Sequence, residues 1–271
     1  MNIQVLVATQ KQIKFDLDSC YYPIYVGAYF HEGDDTYGYL KDNDGDNISD
    51  KNKCFCELTA LYWQWKNSKA DVTGLCHYRR YLSEKKFSKR PSDILSSDRI
   101  EELLKTYDLI LPKEYCLWGS AVQQYSTGQH KKDYILCGDI LREKYPEYWD
   151  DFQTISNSDT IFICNMFIGK KHLIDQYCSW VFDILFELEK RIDLSGYTVA
   201  EKRIFGYLSE RLFNVWILHN HPSVYRCSLL NTETTIIREI IRLFHTFNYK
   251  VLGIDVLKHA AKRKERRDGR K

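Results

Sequence analysis

What most constrains this sequence is an alternation of buried-strand patterns with helical stripes that starts at its N-terminus. Residues 3–8 (IQVLVA) are an apolar run ending in polar TQKQ, the pattern of a buried strand entering a loop. PIYVG, residues 23–27, is a second strand candidate. In CELTALYWQWKN, residues 56–67, Leu58, Leu61, Tyr62 and Trp65 recur at i, i+3, i+4 and i+7, one face of a helix. A β-type run follows at 72–76. Asp98 and Glu101 make a capping-box-like start to a helix whose stripe is Ile100, Leu103, Leu104 and Tyr107. Residues 109–111, ending at Pro112, read as the next strand. Strand, helix and strand in this order predict an α/β fold with a mostly parallel central sheet flanked by helices. Further along, TIFICNMFIG (160–169) reads as a strand interrupted by Asn165. Helices are expected over 174–191, 199–216 and 235–249, and residues 31–52, rich in Asp, Asn and Gly, as a long loop.

Composition narrows the class. The 271 residues are 44% hydrophobic, enough for a sizeable core. Lys+Arg is 39 against Asp+Glu 37, so no bulk nucleic-acid partner is implied. The only abrupt charge shift is at 259–271 (HAAKRKERRDGRK), which divides the chain into one expected domain, 1–258, and a basic tail. The tail carries +5 of formal charge and the preceding residues −3. MNIQVLVATQ lacks the pattern of a signal peptide, and no run of about 18 apolar residues occurs. Nine scattered cysteines without a CxxC pair read as reduced thiols of a cytosolic protein, several of them core-filling. Cys54 and Cys56 lack a second ligand pair for zinc. Placing Gly45 at the sixth position of a calcium loop puts Leu40 and Lys51 at liganding positions, which excludes an EF-hand.

The chemistry-bearing cluster is His77-Tyr78-Arg79-Arg80-Tyr81, directly after the 72–76 strand. In open α/β sheets ligands bind at the carboxyl ends of strands, and arginine forks match diphosphate oxygens. A surface turn with ordinary ion pairs is the competing interpretation, and spacing alone leaves both open. No P-loop, dinucleotide fingerprint, nucleophile elbow or HExxH motif is present. Asp-x-Asp occurs as Asp16-Leu17-Asp18 and, inside the long loop, as Asp42-Asn43-Asp44 and Asp44-Gly45-Asp46, none of them directly after a predicted strand.

The strings DNDGDNISDKN, CELTALYWQWKN, GLCHYRRYL, CNMFIGKKHLIDQYCSWVFDILFELEK and KRIFGYLSERLFNVWI together resemble a bacterial family of capsular and exopolysaccharide clusters. Its members were long described only as a domain of unknown function and are now regarded as glycosyltransferases, galactofuranosyltransferases among them. The likeness runs from about residue 3 to 218, and it departs at Gln10, where a His before Lys11 is expected. It implies a GT-A-like glycosyltransferase fold, a UDP-sugar donor, and a surface-glycan acceptor on a lipid carrier.

On that resemblance, His77, Arg79 and Arg80 stand where related enzymes keep their acidic metal motif. They are assigned to the donor diphosphate with no metal and no further cofactor expected, Lys66 assisting and Lys11 a weaker alternative. An inverting transfer needs a carboxylate base. Glu210, in GYLSERL, and Asp159 are the leading candidates, with Asp46 a third. Glu57, Trp63 and Asn165 are assigned to sugar contacts. An ion pair with Arg203 or Arg211 is the alternative for Glu210, a favourable helix N-terminal carboxylate for Glu57, and a backbone-satisfying role at the strand break for Asn165. The function expected is transfer of galactofuranose from UDP-galactofuranose. A UDP-pyranose donor is the alternative enzyme, and a non-catalytic glycan-binding scaffold the alternative class. The basic tail and the preceding amphipathic helix suggest a cytoplasmic protein that meets anionic membrane peripherally.

Overall fold

The computed structural model describes residues 1–252. The basic tail at 259–271 lies outside them. In chain order the elements begin with β1 (Ile3–Thr9), β2 (Tyr21–Tyr25), β3 (Leu40–Lys41), α1 (Asn52–Phe55), α2 (Leu58–Asn67), β4 (Val72–His77) and β5 (Arg80–Ser83). Next come α3 (Ser97–Leu104), β6 (Leu109–Pro112), β7 (Tyr115–Cys116), α4 (Ala121–Ser126), α5 (Lys131–Lys144) and α6 (Trp149–Asn157). The series ends with β8 (Thr160–Ile161), β9 (Phe167–Lys170), α7 (Lys171–Arg191), α8 (Ile204–Asn220), β10 (Val224–Asn231) and α9 (Ile236–Leu252).

The expected α/β architecture is present. The main sheet has eight strands in the order β3-β2-β1-β4-β5-β10-β6-β9. β3, β2, β1 and β4 are parallel to one another, and this is the half whose strand–helix alternation is visible in the sequence. β5 and β9 add antiparallel pairings, so the sheet is mixed beyond β4. β1 is apolar on both faces because both are covered. Leu6 and Ala8 join a large core with α2 and α4 to α8, whereas Ile3, Val5 and Val7 join a second core that includes Ile100, Leu103 and Leu104 of α3.

One feature of β4 positions everything that follows. Its first part, Val72 to Leu75, pairs with β9, but its last residue, His77, pairs with Arg80 of β5. Two strands thus share one edge of β4, and the chain leading into β9 must peel away beyond Leu75. Gly74 permits the β9 contact, since a Cβ there would stand 2.9 Å from the Phe167 carbonyl oxygen. The peeled segment carries Cys164 at φ 74 and Asn165 at φ 48, left-handed backbone in non-glycine residues. The expected strand at 160–169 is therefore two strands with a strained turn between them.

Other boundaries shift for local reasons. α3 is capped by the Ser96 side chain, which accepts from the Arg99 amide, so Asp98 sits in the first turn rather than at the cap. The helix expected from 199 starts at Ile204, after a 3₁₀ turn at Glu201–Arg203. The long 31–52 loop is pinned by buried Asp42. Its carboxylate accepts from the Gly27 and Ala28 amides at 2.7 and 3.0 Å, from Ser49 at 2.5 Å and from Thr59 at 2.6 Å. All nine cysteines are free thiols, seven of them buried.

Candidate active site

The β4–β5 hairpin puts the cationic cluster at the carboxyl end of the parallel half. His77 closes β4, Tyr78 and Arg79 form the turn, and Arg80 opens β5. A cleft of about 490 Å³ lies against it, and its polar walls include Glu57, His77, Arg79, Arg80, Arg203 and Glu210. A second hollow of about 690 Å³ continues past Glu57 and His77 to Thr9, Gln10 and Lys11 at the end of β1, and to Val26 after β2. The register explains the continuity, because Ala8 of β1 pairs with His77 of β4.

His77 bridges the gap left where β9 peels away. Its Nε2 donates to the Cys164 carbonyl oxygen at 2.7 Å, which assigns the proton to that nitrogen. Burial holds the imidazole below its ordinary value, while Glu57 pulls the other way. The two arginines differ. Arg79 donates to Glu233 at 3.2 Å, and both side chains are well exposed. Arg80 makes no side-chain hydrogen bond or ion pair among the described residues, although it lines the cleft. It is the cation left available to a ligand.

Two carboxylates face this cationic wall. Glu210, on α8, accepts from the Cys164 amide at 2.7 Å with one oxygen and from Arg211 at 2.8 Å with the other. Burial raises its pKa, Arg211 opposes that shift, and the neighbouring Glu57 adds to it. The ion pair with Arg211 weighed from the sequence is therefore present. Arg211 is itself buried and also reaches the Tyr207 carbonyl and Gln124. Glu57 stands at the junction of the two hollows, at the start of α2, where Cys56 at φ 53 turns the chain out of α1. One Glu57 oxygen accepts from Asn165 Nδ2 at 2.8 Å. Its second oxygen carries no hydrogen bond among the described residues.

Several sequence-assigned residues take other places. Asn165 is buried, its amide nitrogen donates to Glu57 and to the Gly206 carbonyl, and its oxygen accepts from Ser209. Both ends of its amide are thus engaged inside the protein, and it holds Glu57. Lys66 lies 3.4 Å from the Trp65 ring centroid, and Trp63, half-buried against the core, donates its indole N–H to the Asp44 carbonyl. Asp159 accepts from Thr160 beside β8, and Asp46 from Tyr62. None of these lines the cleft. The sequence-based assignments omitted Arg203, whose Nε donates to Cys56 Sγ at 3.3 Å from the turn before α8. Its signal was its place in KRIFGYLSERL, the block that also holds Glu210. Burial pushes the Cys56 thiol up to about 11, against the opposing pull of the Arg203 hydrogen bond.

Among the described residues no group of three or more His, Cys, Asp or Glu side chains could hold a metal ion, and no helix is long and apolar enough to cross a membrane. A family model described as a domain of unknown function, DUF4422, matches residues 4–221. Among solved structures, the chain is similar to one titled WbbM bifunctional glycosyltransferase in its apo form, at 30% identity and a TM-score of 0.80. The match covers 86% of this chain and 46% of that one, so the chain spans about half the length of its solved relative. No curated protein sequence matches it.

Proposed function

The chain belongs to the DUF4422 family, and on that premise we propose that it is a glycosyltransferase that moves galactofuranose from UDP-galactofuranose to a lipid-linked glycan acceptor. The observation that carries this reading is Arg80, a cation without a hydrogen-bonded partner among the described residues, three positions beyond the end of β4 at His77 and facing a cleft that also holds Glu57. Supporting it is the solved relative, a protein titled a glycosyltransferase.

Departure of UDP leaves negative charge on the diphosphate. Arg80, with Arg79 and Arg203 nearby, offers charge-assisted hydrogen bonds to those oxygens, and a fixed guanidinium costs no reorganisation during the reaction. His77, neutral with its Nε2 proton committed to Cys164, shapes the wall. In an inverting displacement the acceptor oxygen attacks the anomeric carbon, the bond to UDP breaks, and the acceptor proton passes to a carboxylate. Glu57 is better placed for that proton than Glu210. One of its oxygens is free, whereas both oxygens of Glu210 are engaged. Glu210 then acts as a clamp on the strained turn at Cys164. A UDP-pyranose donor remains the alternative substrate, because sugar identity rests on a few pocket contacts.

The test is to incubate the protein with a panel of UDP-sugars and a polyprenyl-diphosphate glycan in the presence of EDTA, and to weigh the products by mass spectrometry. A hexose added only from UDP-galactofuranose is the expected result. Addition only from a pyranose donor would reassign the sugar, and glycan binding without turnover on any donor would make the protein a scaffold.

A further inference from the structure

α9 is amphipathic in the reverse of the usual sense. Its polar side faces the protein. Glu239 pairs with Lys89, Arg242 lies over the Tyr115 ring at 4.9 Å, His245 packs on Trp118, Thr246 accepts from the Trp118 indole at 3.1 Å, and Lys250 reaches Thr160. Its apolar side faces out. Ile237, Ile240, Phe244, Phe247 and Val251 recur along one stripe and are each more than half exposed. A helix that closes a core does the opposite. Seven of the fifteen exposed large apolar residues among those described belong to this one helix, so the patch is concentrated rather than scattered.

We propose that the outer face of α9 docks on an anionic lipid surface. Charge selects this occupant. Arg238 is exposed beside the apolar stripe, and Lys86 lies beside exposed Phe87 at the same end of the molecule. The sequence after α9, residues 253–271, adds eight Lys/Arg against three Asp/Glu. Apolar side chains rimmed by cations are what an anionic interface takes up. A second copy seated on this face would set the same cations against each other. Position gives the docking a consequence. The hollow beneath α9 shares Arg80, Tyr115 and Ile163 with the cleft, so a surface that takes up α9 lies beside the cleft mouth. The inference concerns α9 itself and does not depend on the glycosyltransferase reading.

The experiment is co-sedimentation of the full chain with vesicles of phosphatidylcholine alone and with about one-third phosphatidylglycerol, comparing wild type with a Phe244→Glu/Phe247→Glu variant. Both substituted residues are exposed, so thermal unfolding should be unchanged and confirms the fold. Wild type should bind the anionic vesicles, bind the neutral ones weakly, and be released by salt. The variant should lose on the order of 100-fold in partition. Wild type left in the supernatant at low salt, or a variant that sediments like wild type, would overturn the proposal. So would light scattering that shows a dimer which the substitutions dissociate, because the face would then belong to a second copy. UDP binding measured on the same variant keeps a failure here separate from a failure of the donor site.

Discussion

Asn165 Nδ2 stands 2.8 Å from a carboxylate oxygen of Glu57, joining residues 108 positions apart in the chain. The contact exists because β9 leaves β4 early and turns Asn165, in left-handed backbone, toward the start of α2. It fixes the orientation of one Glu57 oxygen and leaves the other unbonded. Asn165→Ala removes this bond together with those to Gly206 and Ser209, at a cost of about 1–3 kcal/mol in folding stability. If Glu57 is the base, turnover should fall by about 10²-fold, with UDP affinity unchanged in a calorimetric titration. Asn165→Ala with full turnover would remove the positioning role.

Glu57→Gln separates the two carboxylates. The substitution keeps an oxygen and the shape of the side chain but cannot take a proton. Turnover should drop by about 10²-fold or more while the variant folds normally. Glu210→Gln should instead act on stability, since its nitrogen would face the Arg211 guanidinium it now accepts from. The opposite pattern, with turnover lost in Glu210→Gln alone at unchanged thermal stability, would return the base to Glu210.

Asp42 collects four donors from three segments of the chain while fully buried. Asp42→Asn replaces an acceptor by a donor opposite amides and hydroxyls that still need acceptors. A loss on the order of 3 kcal/mol is expected in urea unfolding, since this carboxylate ties the 31–52 loop to β2 and α2. A change within measurement error would mean that the loop is held elsewhere.

His77 carries a pH prediction. Its folded pKa lies below the ordinary imidazole value because the charged form is poorly solvated, and Arg79 and Arg80 disfavour it further, with Glu57 opposing. The unfolded chain therefore binds the proton first as pH falls below about 6.5. Stability should be full above that value and decline below it, relative to a His77→Asn variant that cannot titrate. Parallel stability curves for the two proteins between neutral pH and pH near 5 would contradict the assignment.

How much of this was legible in the sequence depended on range. The parallel half and the strand-end position of His77, Arg79 and Arg80 were readable, because they follow from apolar periods of a few residues and from local turn chemistry. The shared edge of β4 was not, since β5 follows β4 directly while β9 starts at Phe167, and nothing local marks where one gives way to the other. The same cause hid the true partner of Asn165. It also hid the difference between Arg79 and Arg80, which rests on a single distant carboxylate, Glu233. Lys66 and Trp63 looked available because they fall off the α2 stripe, yet neither lines the cleft, Lys66 lying on Trp65 and Trp63 bonding to Asp44.

The central claim is a diphosphate site built on side-chain cations, with Arg80 at its centre. Isothermal titration of UDP into wild type, Arg79→Ala and Arg80→Ala, all in EDTA, tests it most directly. UDP should bind wild type without metal. Arg80→Ala should lose about 1.5–3 kcal/mol, the value of a charge-assisted bond, and Arg79→Ala less, because Arg79 is already paired with Glu233. Equal affinity for wild type and Arg80→Ala, or binding that appears only when manganese or magnesium is added, would contradict the account.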